Sequence, residues 1–273
     1  MSEQAWSWFA PRDGTKPRRT GTAFSTRALK DFVAEYEGKV CGTVATIIYD
    51  DQLAWIGMIL VSPSQRGRGI GTQLLKLAVD QLDSRGPLTI KLDATPQGKP
   101  MYHKFGFEPE YEIERWMRGS VTSAQPAQRE KELDEGGADV ESIAAMDCEA
   151  FGWNRGSILR SLDRDAPEFT AAIWNGGALA GCTLGRHGLH ADQLGPWLAE
   201  DRDVARKLLA RFINHSAREF LMADCLKTNP FACELLRSAG FEFSRALTRM
   251  VRGADYSKRR SELVCAILGP EFG

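Results

Sequence analysis

The segment from Val61 to Thr72 carries residue types that could bind a phosphate group. Its three glycines alternate with other residues, at Gly67, Gly69 and Gly71. Because glycine has no side chain, the backbone N–H groups of such a turn can point into one concavity at the positive end of a helix. Arg66 and Arg68 would add positive charge beside that concavity. The segment therefore predicts a site for a phosphate or pyrophosphate.

The spacing of these glycines excludes two common phosphate-binding loops. A P-loop requires a lysine directly after its last glycine, and the first lysine after these glycines is Lys76. The dinucleotide pattern G-x-G-x-x-G also fails, because its third glycine would fall on Thr72 or on Leu74. The spacing that remains is Arg-x-x-Gly-x-Gly.

An apolar run and a helical pattern flank the glycine turn. The run from Trp55 to Val61 predicts a buried strand, and Gly86-Pro87 marks the end of the helix that follows the turn. Apolar residues recur at helical spacing between them, at Leu74, Leu75, Ala78 and Leu82. The glycines therefore lie between a strand and the start of a helix.

Further strands are predicted on both sides of this unit. Upstream, a strand beginning at Phe32 and a β-branched strand from Val40 to Tyr49 should pair antiparallel with the strand Leu53–Val61. Downstream, Leu88–Ala94 should run parallel to Leu53–Val61, because a strand–helix–strand crossover connects them.

The pattern at Arg66, Gly69 and Gly71 resembles the acyl-CoA pyrophosphate loop of the GNAT superfamily of N-acetyltransferases. A second segment, Tyr102–Phe107, resembles the GNAT signature in which a tyrosine on a short helix stands near the thioester sulfur. Pro100 predicts the start of that short helix.

The resemblance implies acetyl-CoA as cofactor and direct transfer of its acetyl group to a primary amine of a small molecule, without a covalent enzyme intermediate. Tyr102 would donate a proton to the leaving thiolate, and a backbone N–H near Val61 would stabilise the oxyanion. The cofactor would contact nine residues: Leu60, Val61, Arg66, Gly67, Arg68, Gly69, Ile70, Gly71 and Thr72.

The general base is left open by the sequence. Many GNAT proteins place a glutamate on the strand before the loop, but the run Trp55–Leu60 contains no carboxylate. Asp93, Glu110 and Glu112 are the candidates, together with a chain of water molecules.

A second copy of the same pattern follows in the chain. Gly106-Phe107 recurs 134 residues later as Gly240-Phe241, and at the same offset Arg115 and Arg249 correspond. The second copy lacks the loop glycines, and Leu236 replaces Tyr102. It resembles the degenerate C-terminal domain of two-domain bacterial GNAT proteins.

The fold class predicted is therefore mixed α/β, with two GNAT-like domains in tandem. Each would have a mostly antiparallel sheet with a central, splayed parallel pair and flanking helices. The expected boundaries are a catalytic domain at 1–119, a linker at 120–138 and a degenerate domain at 139–273.

Composition excludes several partners. Lysine and arginine total 35 against 36 aspartates and glutamates, so the net charge of -1 lacks the basic excess typical of nucleic-acid binding. No apolar run is long enough to span a bilayer, which predicts no membrane contact and a cytoplasmic protein. The six cysteines form no C-x-x-C pair, and Cys182, His187 and His190 lack a fourth ligand, so no metal site is predicted.

The short N-terminus leaves an alternative open. About thirty residues precede the first clear strand, which is little for the strand and two helices that wall the acceptor pocket in the family. The missing wall would then come from the second domain or from another subunit, as in a homodimer. The competing hypothesis is a non-catalytic acyl-CoA-binding or regulatory protein.

Overall fold

The fold is described from a computed structural model that covers residues 7–9, 30–86, 88–119, 139–255 and 259–273. The predicted linker, 120–138, and most of the N-terminal thirty residues lie outside this range. No helix within it is long and apolar enough to cross a bilayer.

The first half of the chain forms six strands and two helices. In chain order they are β1 (Ser7–Phe9), β2 (Lys30–Tyr36), β3 (Lys39–Tyr49), β4 (Leu53–Val61), α1 (Ile70–Asp83), β5 (Thr89–Ala94), α2 (Lys99–His103) and β6 (Glu108–Arg118). The helix α2 begins one residue before the predicted Pro100, because proline fits the first turn of a helix.

The second half forms four helices and six strands. In chain order they are α3 (Val140–Phe151), α4 (Gly156–Asp165), β7 (Ala171–Asn175), β8 (Ala178–His187), β9 (Asp192–Ala199), α5 (Arg202–His215), β10 (Leu221–Leu226), α6 (Ala232–Ser238), β11 (Glu242–Arg252) and β12 (Val264–Ala266). Short 3₁₀ turns precede α1, β7 and β12.

The described strands form one continuous sheet. Its order is β1-β2-β3-β4-β5-β11-β6-β10-β12-β9-β8-β7. The strand β11 lies between β5 and β6, and β6 in turn pairs with β10. Each half therefore places its last long strand against the sheet of the other half, and the two halves share a single mixed α/β structure.

The predicted strand directions of the first half are confirmed. The pairs β2–β3 and β3–β4 are antiparallel, and β4–β5 is parallel. The parallel pairing covers three residue pairs and ends at Trp55 and Lys91. Beyond that point the two strands separate, as the splayed pair of the predicted fold class requires.

Different helices cover the two faces of the first half's sheet. On one face α1 packs with Ile56 and Leu92 in a common core. On the other face α3 and α4, which belong to the second half, pack in a core with Tyr49 and Trp55. The second half thus covers this face of the first half's sheet.

The C-terminal residues lie on the same face of β3 and β4. Trp55 Nε1 donates a hydrogen bond to the Pro270 carbonyl at 2.9 Å, and the Tyr49 hydroxyl donates to the Phe272 carbonyl at 2.9 Å. A Cβ added to Gly57 would come within 3.0 Å of Glu271 Cα, so a glycine is needed where this segment crosses the strand.

The internal repeat is visible in equivalent backbone contacts. The Phe107 N–H donates to the Tyr102 carbonyl at 3.3 Å, and the Phe241 N–H donates to the Leu236 carbonyl at 3.0 Å. Gly106 and Gly240 have nearly the same positive φ, 80° and 83°. The two segments are therefore structural copies with different side chains at the position of Tyr102.

The turn before α6 is held by the side chain of Asn229. Its Oδ1 accepts hydrogen bonds from the Phe231 and Ala232 N–H groups at 3.1 Å and 2.9 Å. The helix itself begins at Ala232.

Candidate functional site

The separation of β4 from β5 leaves one edge of β4 without a strand partner in the described structure. Within β4, Met58 has a positive φ of 54°, and the register against β3 shifts between Thr43 and Ala45. Positive φ is rare for residues other than glycine and here marks a β-bulge. The Thr43 hydroxyl donates to the Met58 carbonyl at 2.8 Å and holds the bulge in place. The bulge bends β4 where its pairing with β5 has ended.

The glycine turn follows directly after β4. Gly67 and Gly69 have φ values of 78° and 79°, and a Cβ added at either position would meet nothing within 4 Å. Arg66 Nε donates to the Val61 carbonyl at 3.1 Å, which fastens the turn to the end of the strand. The Arg68 guanidinium lies 5.7 Å from the centre of the Tyr36 ring. The turn is thus an open, exposed surface with a cation on each side of Gly67.

No side chain caps the start of α1. Gly69 is the N-cap residue, and the first turn of the helix contains no acidic residue. The N–H groups of Ile70, Gly71 and Thr72 are therefore the free donors that open every α-helix. Together with the positive end of the helix dipole they form a site suited to an anion.

The predicted cofactor residues on either side of the turn differ in what they expose. Leu60 is 56% exposed, whereas Ile70 is 3% exposed and belongs to the core beneath α1. Ile70 therefore offers only its backbone N–H to a ligand. The structure gathers all nine predicted residues in one continuous stretch from the end of β4 to the first turn of α1.

Tyr102 lies on α2, in the same core as α1. Its ring packs edge-on against Phe107, with the ring centres 6.2 Å apart. Gly98 permits this position, because a Cβ there would come within 2.9 Å of Tyr102 Cε2. Among the described residues none hydrogen-bonds the Tyr102 hydroxyl, and burial raises the pKa of this hydroxyl to about 12. The side chain is therefore a protonated donor at neutral pH.

The candidate bases are engaged elsewhere. Asp93 makes a bidentate ion pair with Arg249, at 2.8 and 2.9 Å. Glu110 accepts from Lys91 Nζ at 3.2 Å and from Arg259, and Glu112 pairs with Lys227 on the surface. Each carboxylate already has a cationic partner.

The sequence marks Arg249 only as part of the repeat and does not predict its pairing with Asp93. Arg249 belongs to β11 of the second half, is 2% exposed, and also donates to the Tyr111 hydroxyl at 2.6 Å. Its counterpart in the repeat, Arg115 of β6, makes a bidentate pair with Asp224 of β10 at 2.7 and 2.8 Å. Each exchanged strand therefore carries an arginine that pairs with an aspartate of the other half. The matching arginines at the offset of 134 residues were the available signal.

The second half has no open helix start at the equivalent position. The Asp201 side chain caps α5 and accepts from the Val204 N–H at 2.9 Å, and Asp203 lies in the first turn. Leu236, the counterpart of Tyr102, is fully buried. This half thus retains the fold without the donors or the hydroxyl of the first.

Two residues of the sequence's weak metal pattern, Cys182 and His187, contact other side chains in the structure. His187 lies between Asp192 and Glu168, at 2.8 and 2.7 Å from their carboxylates. Cys182 is buried, with its Sγ 4.0 Å from Met146 Sδ. In the described part of the chain, no three metal-binding side chains are arranged to hold a metal ion.

Comparison with known proteins gives the family. The model of the acetyltransferase (GNAT) family matches residues 1–107, and that of the acetyltransferase (GNAT) domain matches residues 143–265. The uncharacterized N-acetyltransferase YitH of Bacillus subtilis is 27% identical over 163 residues, which cover 59% of this chain and 56% of that protein. The chain spans about half the length of the curated relatives it matches.

Two solved structures share the fold over most of this chain. A candidate acetyltransferase from Pyrococcus horikoshii superimposes with a TM-score of 0.74 at 24% identity, covering 89% of this chain and 80% of that one. A tandem GNAT protein from the clavulanic acid biosynthesis pathway, solved without acetyl-CoA, gives a TM-score of 0.60 at 17% identity and covers 86% of each chain. The two family matches together take in most of the sequence, one in each half. The chain belongs to the GNAT superfamily of acetyltransferases and consists of two GNAT domains in tandem.

Proposed function

We propose that the first GNAT domain binds acetyl-CoA and transfers its acetyl group to a primary amine of a small molecule. The observation that carries this proposal is the uncapped, glycine-lined start of α1 directly after the splayed end of β4. A pyrophosphate fits the free N–H groups and the two arginines of the turn, and the open space over Gly67 and Gly69 leaves room for its close approach.

The open start of α1 and the capped start of α5 support one site per chain. We assign the cofactor to the domain at 1–119, and the domain at 139–273, which follows the linker 120–138, serves as wall and stabilising partner. The residues proposed to hold the cofactor are the unpaired edge at Leu60 and Val61, the turn from Arg66 to Gly69, and the N–H groups of Ile70 to Thr72.

When bound, acetyl-CoA supplies a thioester carbonyl that an amine can attack. The amine nitrogen would form a bond to this carbonyl carbon while the carbon–sulfur bond breaks, and the nitrogen would lose one proton to solvent. A backbone N–H near Val61 donates to the carbonyl oxygen as charge develops there. No side chain of the protein becomes acylated in this scheme.

We assign to Tyr102 the protonation of the leaving sulfur. Its hydroxyl has no partner among the described residues, so its proton is available to a thiolate. A pKa of about 12 keeps it protonated, and burial that raises this pKa also raises the pKa of a thiol leaving in the same surroundings. The phenolate formed by transfer regains a proton from solvent.

A non-catalytic acyl-CoA-binding protein is the second candidate. The observation that favours it is the engagement of Asp93, Glu110 and Glu112 in ion pairs. An amine that enters already deprotonated needs no such base, which is why transfer remains our first proposal. Turnover of acetyl-CoA with any amine of a broad panel distinguishes the two, because a binding protein gives none.

The variant Tyr102→Phe tests the mechanism. We expect a loss of kcat on the order of 10²-fold with the Kd for acetyl-CoA unchanged, because the hydroxyl acts only as charge develops on sulfur. Steady-state kinetics and calorimetry measure the two quantities. Tyr49→Phe is the control, since it removes a buried hydroxyl that donates to the Phe272 carbonyl. Unchanged kcat in Tyr102→Phe would leave this tyrosine with a packing role alone.

A further inference from the structure

Two cysteine thiols of the second half lie in contact. The sulfur atoms of Cys225 and Cys233 are 3.1 Å apart. Cys225 is the last residue but one of β10, and Cys233 is the second residue of α6. The short turn between them is held by the side chain of Asn229, which accepts from the first N–H groups of the helix. The fold therefore holds two thiols next to each other at a fixed place.

The two thiols differ in their access to solvent. The Cys225 side chain is fully buried, in the core that α5 and α6 form with the sheet. Cys233 is partly buried and packs against the edge of the same core. A small reagent in solution can therefore reach Cys233, whereas Cys225 is closed to it.

The contact also makes the two sulfurs chemically different. The pKa of the Cys233 thiol is lowered, chiefly because the Cys225 S–H donates a hydrogen bond to its sulfur, while burial acts in the opposite direction. The pKa of Cys225 is raised by the same hydrogen bond and by burial. Because the thiolate is the nucleophilic form of cysteine, Cys233 is the sulfur that attacks and Cys225 is its neighbour in reserve.

The other four cysteines lack this combination of properties. Three of them are buried, namely Cys41, Cys182 and Cys265. Cys148, on α3, is partly exposed, but its pKa is raised by burial and by the nearby Asp50 carboxylate. Accessible thiols that form thiolates readily are oxidised first. Cys233 is therefore expected to be the most reactive of the six thiols.

We propose that Cys225 and Cys233 are a modification site that hydrogen peroxide converts reversibly to a disulfide. The Cys233 thiolate attacks one peroxide oxygen, the O–O bond breaks, hydroxide leaves, and Cys233 becomes a sulfenic acid. The Cys225 sulfur then attacks the Cys233 sulfur, the S–O bond breaks, and the hydroxyl group leaves as water with the Cys225 proton. The two thiols lose two electrons and two protons, and the peroxide is reduced to two water molecules.

The position of Cys225 keeps this oxidation reversible. The sulfurs have to approach each other by about 1 Å to reach the length of a disulfide bond. Cys225 therefore captures the sulfenic acid before a second peroxide can convert it to sulfinic acid, which thiols do not reduce. The disulfide fastens α6 to β10, the strand that pairs with β6 of the first half. This inference does not depend on the proposed acetyl transfer.

Mass spectrometry of the full chain tests the site. After reduction and removal of the reductant, one equivalent of hydrogen peroxide should lower the mass by two hydrogens and join the peptides that contain Cys225 and Cys233, and dithiothreitol should reverse both changes. The control Cys148→Ser should form the same disulfide, because Cys148 is the other partly exposed cysteine. Oxidation of Cys148 before Cys233, a disulfide between other cysteines, or sulfinic acid at Cys233 without a disulfide would overturn the proposal.

Two variants separate the roles of the sulfurs. Cys225→Ser keeps a hydroxyl that can donate to Cys233 but cannot form the disulfide. We expect dimedone to trap a sulfenic acid at Cys233 in this variant, and excess peroxide to add two oxygens there. Cys233→Ser changes the more exposed member of the pair, and its Cys225 should resist the same treatment. Oxidation of Cys225 in folded Cys233→Ser at the wild-type rate would contradict the assigned order of attack and overturn the proposal.

Discussion

The starts of helices α1 and α5 occupy equivalent places in the two halves but differ in how their N–H groups are satisfied. At α5 the Asp201 carboxylate accepts from the Val204 N–H, and Asp203 adds a second negative charge. At α1 a glycine stands in the cap position and the first turn contains no carboxylate. The first N–H groups of α5 are therefore capped by its own chain, while those of α1 have no side-chain cap.

The difference does not extend to the packing beneath the two helices. Leu74 and Leu75 of α1 are fully buried, and so are Leu208 and Leu209 of α5, 134 residues later. The hydrophobic contact with the sheet needs only this apolar face. The proposed cofactor site lies instead in the turn before the helix and in the first N–H groups of the helix, so its absence from one copy leaves the fold intact.

Separating the two halves should have the largest effect on the solubility of the first half and on its binding of acetyl-CoA. A chain that ends at residue 119 lacks β11 between β5 and β6 and exposes the face that α3 and α4 cover. We expect it to be insoluble and to bind no acetyl-CoA, because an unpaired edge and an apolar face favour aggregation. Solubility and calorimetry measure the outcome, and co-expression with residues 139–273 should restore both. A soluble, fully active first half would show that the first half folds and binds acetyl-CoA without the second half.

A side chain in the glycine turn should abolish the difference in acetyl-CoA binding between the starts of α1 and α5. Gly69→Val forces a branched side chain into a left-handed conformation, at φ 79°, and fills the approach to the N–H groups. We expect acetyl-CoA binding to weaken by at least about 100-fold in calorimetry, from a wild-type stoichiometry of one per chain. Gly86→Val is the control, because Gly86 has a similar positive φ of 106° and open surroundings at the far end of α1. A wild-type stoichiometry of two would mean that α5 also binds the cofactor.

Removing one charge beside the turn should have a smaller effect. Arg68→Gln keeps the backbone donors of α1 and loses one cation, so we expect about 3- to 10-fold weaker binding of acetyl-CoA and a weaker dependence on salt. Calorimetry at two ionic strengths tests both. Arg85→Gln removes an exposed charge at the other end of the helix and should leave the Kd unchanged. An equal effect of both variants would indicate general electrostatic attraction in place of a local contact.

Removing the cap of α5 should affect stability alone. We expect Asp201→Ala to lower the free energy of unfolding by about 1 kcal/mol, the usual value for an N-cap, with the Kd for acetyl-CoA unchanged. Denaturant titration measures the first quantity. Glu200→Ala changes an exposed neighbouring carboxylate and should be close to neutral. New binding of acetyl-CoA at α5 in the Asp201 variant would show that the cap alone had closed the second site.

Local sequence signals predicted the parts of the molecule that depend on local geometry. The alternating glycines predicted a tight turn before α1, and the structure has this turn, with positive φ at Gly67 and Gly69. The crossover argument predicted the parallel pair β4–β5, and Gly106 and Gly240 marked the repeat. In each case the conformation is fixed by a few neighbouring residues or by a chirality rule.

Such local signals did not predict the strand exchange or its ion pairs. The spacing of apolar residues predicts that β6 and β11 are strands, but it does not determine which strand lies beside each of them. Asp93 therefore looked like a candidate base, because its partner Arg249 lies 156 residues away on a strand of the other half. The C-terminal segment against Gly57 was missed for the same reason, since contacts between distant parts of a chain leave no local pattern.

The exchange of β6 and β11 also constrains how the protein is made. During synthesis β5 emerges from the ribosome long before β11, its neighbour in the sheet. The sheet of the first half must wait, incomplete, while more than a hundred further residues are translated. Contacts of such long sequence separation slow folding and expose unpaired edges on the way. The nascent chain is therefore expected to need chaperone protection until β11 has left the ribosome and can pair between β5 and β6.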